Sequence, residues 1–295
     1  MTSPHHYAKL CDLADFEDPE LLAAIHSVLP ERDPREHVER KVWEFGMFAL
    51  FLSEQGVLDD RSEVLAVGAG DERMAFWLAN RVGMVTATDI YGEGEFAHRE
   101  AGDSMLSNPG AHAPFPYRED RLRVLSMDGR ALEFSDESFD VVYSLSSIEH
   151  FGGPRDVARA AREMGRVLRP GGVAFVVTEC LVRRHSLNAA PVDFAVRLAA
   201  LNRRRRLATP WRRGIVAEAF TPRELERRIV GPSGLELMQP VDLRLSERSW
   251  ENLTVTHDPD SRLESRTGEY YPHILLQYSR SVFTSVCLPL RKPAA

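Results

Sequence analysis

The sequence predicts an α/β fold with a mostly parallel sheet that is covered by helices on both faces. Between about residues 60 and 180, short β-rich apolar segments alternate with helical segments of 10 to 15 residues. Strands joined by such crossovers lie parallel, and their ligands bind beyond the carboxyl ends of the strands. Acidic or small polar residues follow the first four strands, so we expect the functional site at that edge.

Each predicted element has the hydrophobic period of its type. Seven strands are rich in β-branched and apolar residues, and they are 63–67, 84–88, 122–126, 139–145, 173–177, 235–243 and 281–290. The predicted helices carry apolar residues at helical spacing, and they are 19–29, 35–55, 72–81, 154–168, 189–200 and 222–230. Residues 246–270 are polar and are predicted to form a loop.

Composition places the 295-residue chain among ordinary globular proteins, with 43% hydrophobic and 27% charged residues. Its three cysteines lie far apart without CxxC spacing, so we expect neither a disulfide framework nor a metal site. No apolar run approaches the roughly 18 residues that span a bilayer. The N-terminal residues lack a basic segment followed by an apolar core, so we expect a cytoplasmic location.

Charge is unevenly distributed along the chain. The net charge of −7 argues against a general nucleic-acid binder, which needs a basic surface. The segment 183–213 is the exception, because it holds nine arginines and one acidic residue. Arginine side chains suit phosphate or carboxylate groups, which favours an anionic acceptor. Two other interpretations stay open, namely peripheral membrane contact through 189–213 and an ordinary solvated surface.

The first strand leads into a glycine turn in the sequence VLAVGAGDE, residues 64–72. A dinucleotide fingerprint GxGxxG would require glycine where Arg73 stands. Asp71 and Glu72 would also repel a pyrophosphate at the start of the following helix. These acids tolerate a cationic cofactor such as S-adenosylmethionine (SAM), although they also suit the helix dipole alone.

The next strand ends supply groups that suit an adenosine. Asp89 ends the second strand and can accept hydrogen bonds from both ribose hydroxyls. Asp128 and Gly129 follow the third strand, where a carboxylate can accept from the adenine amino group. Residues 144–147 follow the fourth strand and would line the methionine end. Polar groups at four successive strand ends form a stronger signal than any one of them.

Four segments, VLAVGAGDE, ATDIYGEG, MDGRALEFSDESFDVVYSLSSIEHFGG and REMGRVLRPGG, resemble class I SAM-dependent methyltransferases of the broad type-11 group. The resemblance implies a Rossmann-like, seven-stranded, mostly parallel sheet whose last strand is antiparallel. It also implies SAM as the cofactor and a set of cofactor-binding residues: Gly68, Ala69, Gly70, Asp71, Asp89, Ile90, Asp128, Gly129, Ser144 and Leu145. The family pattern is VLDVGCGTG; here Ala66 stands in place of its aspartate and Glu72 in place of its last glycine.

The resemblance also predicts how the chain is organised. Residues 1–58 would form an N-terminal helical extension or cap, and 59–182 the SAM-binding core. Residues 183–219 would form an arginine-rich inserted lid, and 220–295 the C-terminal part of the core sheet. The sequence predicts no oligomeric state.

Two adjacent residues after the fourth strand are candidates for a general base. His150 titrates near neutrality and Glu149 precedes it, although both can also serve as scaffold in this family. The sequence thus predicts an enzyme that methylates a hydroxyl on a glycan-linked or anionic small molecule by in-line displacement. Two alternatives remain, a methyltransferase that tailors a phenolic or polyketide product and a non-catalytic binding module with this fold.

Overall fold

The protein forms a mixed β-sheet flanked by helices. The computed structural model describes residues 5–94, 102–183, 218–256, 272–278 and 281–294. The strands in these ranges are β1 (Glu63–Val67), β2 (Met84–Asp89), β3 (Leu122–Ser126), β4 (Phe139–Leu145), β5 (Leu168–Arg183), β6 (Glu236–Leu237), β7 (Thr254–Thr256), β8 (Leu276–Tyr278) and β9 (Ser281–Arg291). Their spatial order is β3-β2-β1-β4-β5-β9-β8-β7, and β6 pairs with β9 beside this path.

Helices connect these strands and cover them. The α-helices in the described ranges are α1 (Pro19–Val28), α2 (Arg40–Gln55), α3 (Arg73–Ala79), α4 (Ser104–Ser107), α5 (Pro154–Val167), α6 (Pro222–Leu225), α7 (Gly231–Ser233) and α8 (Glu247–Glu251). Between α6 and α7, Glu226–Val230 continues as a π-helical turn. Short 3₁₀ turns span Leu13–Glu17, Pro109–His112, Glu119–Arg121 and Ile148–His150. None of the helices described is long and apolar enough to cross a membrane.

The parallel half of the sheet sets the position of the site. β1 pairs in parallel with β2 on one side and with β4 on the other. Further out, β2 pairs in parallel with β3, and β4 pairs in parallel with β5. The strand order therefore reverses between β1 and β4. In an open sheet of this kind, the crevice beyond that reversal is where ligands bind.

The prediction that the last strand is antiparallel is confirmed. β9 pairs antiparallel with β5 from Val173–Arg291 to Arg183–Val282, much the longest ladder of the sheet. The N-terminal segment pairs with the opposite edge of β9, between β8 and β6, where Cys11 donates its backbone N–H to the Ser285 carbonyl. The C-terminal strand and the first residues of the chain thus pack together beside β5.

The strand pattern of the C-terminal part differs from the prediction. The described ranges contain nine strands where seven were predicted. The predicted strand 235–243 is reduced to β6, whose two residues pair with Leu290 and Arg291 of β9. Pro240 has no N–H to donate to a ladder, and the Gln239 side chain bonds instead to the backbone of Tyr7. The apolar side chains of this segment therefore pack against the core although the strand does not continue.

Two other predicted boundaries are wrong. Residues 246–270 were predicted to be a loop, yet α8 and β7 lie within them, and Ser246 caps α8 by accepting from the Ser249 N–H. The helix predicted over 35–55 begins only at Arg40. Its expected first turn is instead extended, because Val38 and Arg40 exchange backbone hydrogen bonds with His273. The predicted helix 189–200 lies outside the described residues.

The two faces of the sheet have separate cores. α1, α2 and α3 pack on the face that carries Val64 and Ala66. α5, α6 and the π-helical turn after α6 pack on the face of Leu65 and Val67. Helix α2 is held by ring contacts from Phe48 to Tyr143 and Phe175, at centroid distances of 4.7 and 5.2 Å. This packing brings the first turn of α2 to the carboxyl edge of the sheet.

Candidate cofactor and acceptor site

The glycine turn after β1 is tied to the strands on both sides of it. Gly68 and Gly70 have positive φ angles of 71° and 49°, a conformation that favours glycine. The backbone N–H groups of Gly68 and Ala69 donate to the Thr88 carbonyl at the end of β2. On the other side, the Ser147 hydroxyl donates to the Gly68 carbonyl over 2.7 Å. The turn therefore has a fixed position between the ends of β2 and β4.

Asp89 is held rigidly at the end of β2. One carboxylate oxygen accepts from the Gly70 N–H at 2.9 Å and the other from the Ile90 N–H at 2.7 Å. Burial raises the pKa of Asp89, and the two backbone hydrogen bonds counteract part of this rise. Each oxygen keeps further lone pairs, so the carboxylate can still accept hydrogen bonds from a vicinal diol.

A cavity of ≈ 160 Å³ lies beside Asp89. Six of the predicted site residues line it, namely Gly68, Asp89, Ile90, Asp128, Gly129 and His150. Met127 and Phe151 add apolar surface to the wall. A carboxylate that can accept from a diol, next to apolar walls that suit a flat ring, fits an adenosine.

Asp128 lies in this cavity with a partner that the sequence did not predict. The Arg130 guanidinium binds both oxygens of the Asp128 carboxylate at 2.7–2.9 Å. These hydrogen bonds lower the pKa of Asp128, so the carboxylate stays ionised. Arg130 also donates to the Phe151 carbonyl at 3.3 Å, which links the ends of β3 and β4.

The two candidate bases after β4 have different environments. His150 lines the cavity, and its Nδ1 lies 3.9 Å from Oε1 of Glu218. Glu149 is buried and accepts from the Thr178 hydroxyl at 2.9 Å. Burial raises the pKa of Glu149 to about 8, and the nearby Glu179 carboxylate adds to the rise. Only His150 therefore borders the cavity.

The other predicted binding residues lie around the glycine turn without lining the cavity. Ala69 is buried in the turn, and the Gly70 carbonyl accepts from the Tyr91 hydroxyl at 2.7 Å. Asp71 lies outside, with one oxygen 3.4 Å from Nδ1 of His112. Ser144 is fully buried in β4, and the Leu145 carbonyl accepts from Nζ of Lys41 at 2.9 Å.

Lys41 and Glu44, on the first turn of α2, were missed by the sequence analysis. Lys41 forms an ion pair with Glu72, and its Nζ lies 3.6 Å from Oε2 of Glu44. The other oxygen of Glu44 accepts from the hydroxyls of Ser146 and Ser285, at 2.8 and 2.6 Å. A helix start with Lys41 and Glu44 at i and i+3 was visible in sequence, but nothing there placed it near Glu72.

These charged groups influence one another's protonation. Burial raises the pKa of Glu72 to about 7, although the Lys41 ammonium limits the rise. For Lys41, burial alone would lower the pKa, but the carboxylates of Glu72 and Glu44 raise it overall. The two carboxylates therefore stabilise the protonated, positively charged form of Lys41. The arginine-rich segment 183–213, which was expected to cover this edge, lies almost wholly outside the described residues.

Comparison with known proteins identifies the matched part of the chain. Residues 65–176 match a family model described as a methyltransferase domain. The chain is 30% identical over 121 residues to the methyltransferase GfsG of Streptomyces halstedii, covering 41% of this chain and 38% of that protein. It is 32% identical over 148 residues to the ubiquinone/menaquinone biosynthesis C-methyltransferase UbiE of Roseobacter denitrificans, covering 45% of this chain and 57% of that protein.

These relatives are thus matched over only 38% and 57% of their own lengths. Among solved structures, the fold resembles the crystal structure of the [4+2]-cyclase SpnF with a TM-score of 0.50. That likeness covers 100% of both chains at 16% sequence identity, so it concerns the fold alone.

Proposed function

We propose that this chain, whose residues 65–176 match a methyltransferase domain, is a class I SAM-dependent enzyme that methylates a hydroxyl group of a small acceptor. SAM is the cofactor of this domain, and the residues around Asp89 fit its adenosine part. The finer proposal, on the sequence argument above, is a glycan-linked or anionic acceptor that is methylated in the cytoplasm.

The observation that carries the hydroxyl assignment is the position of His150. Its imidazole borders the cavity that Asp89 also lines, and Glu218 lies 3.9 Å from Nδ1. At 3.9 Å this carboxylate lies beyond hydrogen-bond distance of Nδ1, but its negative charge stabilises the positive imidazolium that forms when the imidazole takes a proton. A hydroxyl must lose its proton during methylation, and a base in this place can take it.

Each remaining group has a role in binding or alignment under this proposal. When bound, SAM supplies a methyl group on a positively charged sulfur that is a good leaving group. Asp89 accepts from the ribose, Asp128 accepts from the adenine, and Ile90 packs against the ring. The buried turn Gly68–Gly70 fixes these groups, and such alignment of reacting atoms can supply several kcal/mol. Glu149 acts as a positioning residue, since it is buried against Thr178.

The anionic part of the proposal depends on the arginines of 183–213, whose count is known from the sequence alone. Arginine binds carboxylate and phosphate through paired hydrogen bonds. A neutral acceptor would gain little from nine such side chains, so their replacement separates the two acceptor classes.

Transfer to carbon is a second candidate, and the curated relatives favour it. UbiE is named as a C-methyltransferase of ubiquinone and menaquinone biosynthesis, which agrees with the alternative of a phenolic or polyketide acceptor. The same base would then remove a proton from the methylated carbon. Analysis of the product decides between the two, because O-methyl and C-methyl groups differ in NMR shift and in chemical stability.

The test is a transfer assay with methyl-labelled SAM and a panel of acceptors. The panel pairs glycosylated, phosphorylated and carboxylated alcohols with neutral phenols of similar size. Label in an O-methyl product of an anionic or glycosylated member supports the proposal, and Asp89→Ala serves as the inactive control. Label only in C-methyl products would replace it with the second candidate. Binding of SAM without transfer to any member would favour the non-catalytic binding module.

A further inference from the structure

A second charged cluster lies on the β4 side of the glycine turn, away from Asp89. Lys41, Glu44 and Glu72 form it, and Tyr143 borders it; we call these residues the Lys41 cluster. Asp89 ends β2 and Leu145 ends β4, so β1 and its turn lie between the two groups. Lys41 donates to the Leu145 carbonyl at 2.9 Å, and Glu72 is the residue before α3. The cluster therefore borders the turn opposite the adenosine cavity.

Two buried polar atoms in this cluster make no hydrogen bond within the described part of the chain. They are Oε2 of Glu44, whose side chain is 3% exposed, and the hydroxyl of Tyr143, which is 1% exposed. Buried polar groups are nearly always hydrogen-bonded, because leaving them without a partner costs free energy. Oε2 of Glu44 has the ionic contact with Lys41 at 3.6 Å but no hydrogen bond, and the Tyr143 hydroxyl has no hydrogen bond within the described residues, so a ligand can supply both.

Position 66 lies on the same face of the sheet as Tyr143. Ala66 pairs directly with Tyr143 across β1 and β4. An aspartate at position 66, as the family pattern has, would place a carboxylate on this same face. Here Ala66 carries no charge, and the acidic groups of the cluster come instead from Glu72 and Glu44.

We propose that Lys41 and Glu72 bind the amino-acid end of SAM, Lys41 by donating to its carboxylate and Glu72 by accepting from its ammonium group. This inference rests on the proposed function, since it assigns a further part of the same cofactor site. The Lys41 side chain is 38% exposed, so a ligand can reach the ion pair.

Charge supports this assignment. The amino-acid end of SAM carries one ammonium and one carboxylate, the same two groups that pair in Lys41 and Glu72. When the ligand binds, the Lys41–Glu72 ion pair is replaced by two ion pairs, Lys41 with the ligand carboxylate and Glu72 with the ligand ammonium. No buried charge is then left without a partner. Glu44 remains beside Lys41 as a second carboxylate. With Glu72 ionised, the cluster has a net charge of −1, which is complementary to SAM with its additional positive sulfur.

The test compares two ligands that share the adenosine and the sulfur. S-Adenosylhomocysteine (SAH) has the amino-acid end, and 5′-methylthioadenosine (MTA) lacks it. Both are titrated calorimetrically into the full chain and into Lys41→Met and Glu72→Gln. Lys9→Met is the matched control, because Lys9 also forms an ion pair, with Asp15, away from the cluster. Thermal unfolding of each variant checks that it is folded.

We expect SAH to bind at least tenfold more weakly to Lys41→Met and Glu72→Gln, on the scale of one charge-assisted hydrogen bond. MTA should bind within about twofold of wild type, and Lys9→Met should change neither ligand. Equal losses for both ligands, or no loss of SAH affinity, would overturn the inference and assign the ion pair a structural role.

One comparison needs no variant, so it holds even if the substitutions prevent folding. Wild-type protein should bind SAH at least tenfold more tightly than MTA or decarboxylated SAH. Similar affinities for all three would overturn the inference while leaving the proposed function intact. Failure of SAH, SAM and MTA to bind wild-type protein would instead remove the proposed function itself.

Discussion

The two halves of the carboxyl edge come from different parts of the chain. The adenosine half uses the ends of β2 and β3, where Asp89 and Asp128 lie within the matched range 65–176. The opposite half combines Glu72, which lies within that range, with Lys41 and Glu44 of α2, which lie outside it. The proposed nucleoside contacts therefore lie within the matched domain. The proposed contacts to the amino-acid end also need the N-terminal helix α2.

The halves also differ in electrostatics. Arg130 lowers the pKa of Asp128, so that carboxylate stays charged at any ordinary pH. Burial raises the pKa of Glu72 to about 7 and that of Glu149 to about 8. Among the carboxylates, dependence on pH near neutrality should therefore come from the half that faces α2 and β5. The following predictions test this difference, beginning with the largest effect.

Replacement of His150 should affect turnover and leave ligand binding nearly unchanged. His150→Gln removes the proposed base and keeps a polar side chain of similar size at the cavity. We expect kcat to fall by about 10²–10⁴-fold, measured with the acceptor found in the panel, while SAH affinity stays within about threefold. A variant with unchanged kcat would show that His150 is scaffold.

Replacement of Asp89 should weaken both SAH and MTA to the same extent. Asp89→Asn exchanges a charged acceptor for a neutral one that cannot accept on both sides. The loss of two charge-assisted hydrogen bonds, about 3 kcal/mol, corresponds to roughly 100-fold in affinity by calorimetry.

Asp59→Asn is the matched control for this prediction. Asp59 also accepts from two backbone N–H groups, those of Arg61 and Ser62, but lies in a surface turn. A change in affinity that appears with Asp59→Asn as well, or that affects SAH and spares MTA, would contradict the role of Asp89.

Glu149 should make stability depend on pH. Its folded-state pKa of about 8 exceeds the ordinary value of 4.5, so the stability that it contributes is complete at low pH and is lost as pH rises. Thr178 donates to it, while the carboxylates of Glu179 and Glu44 oppose its ionisation. The free energy of unfolding of Glu149→Gln minus that of wild type should rise by about 3 kcal/mol when the pH is raised from 5.5 to 8.5.

Chemical denaturation at the two pH values measures this gain. Glu133→Gln, which changes an exposed glutamate, controls for the general effect of removing one charge. A gain that is the same at both pH values would mean that Glu149 is already ionised in the folded protein.

Asp128 should give the smallest effect, because its partner and exposure reduce what it contributes. Its side chain is 39% exposed and already binds Arg130. We expect Asp128→Asn to weaken SAH and MTA alike by about fivefold, near 1 kcal/mol. Asp136→Asn is the control, since Asp136 forms an exposed pair with Arg166 away from the cavity. A loss as large as that of Asp89→Asn would mean that the two acids contribute equally.

The adenosine half was predictable from sequence because its determinants are local. A parallel sheet brings strand ends to one edge, so the order of Gly68, Asp89 and Asp128 along the chain already indicated their proximity. The cavity that Gly68, Asp89, Ile90, Asp128, Gly129 and His150 share agrees with that reasoning. Their roles in binding stay predictions until a ligand is measured.

The other half was not predictable, because it depends on packing between distant segments. Lys41 meets Glu72 only because Phe48 packs against Tyr143 and Phe175 and so fixes the start of α2. Burial of Glu149 likewise follows from tertiary structure, and a sequence pattern cannot distinguish it from an exposed base. The shortened strand at 236–237 has a local cause in Pro240 that the apolar pattern obscured.

The most direct test of this account is a crystal structure of the full chain with SAH. The account predicts ribose hydroxyls within hydrogen-bond distance of Asp89 and the amino-acid end between Lys41 and Glu72. It also predicts that the Lys41–Glu72 ion pair has separated to contact the ligand. SAH bound at another edge of the sheet, or bound at Asp89 with the Lys41–Glu72 pair intact, would contradict it.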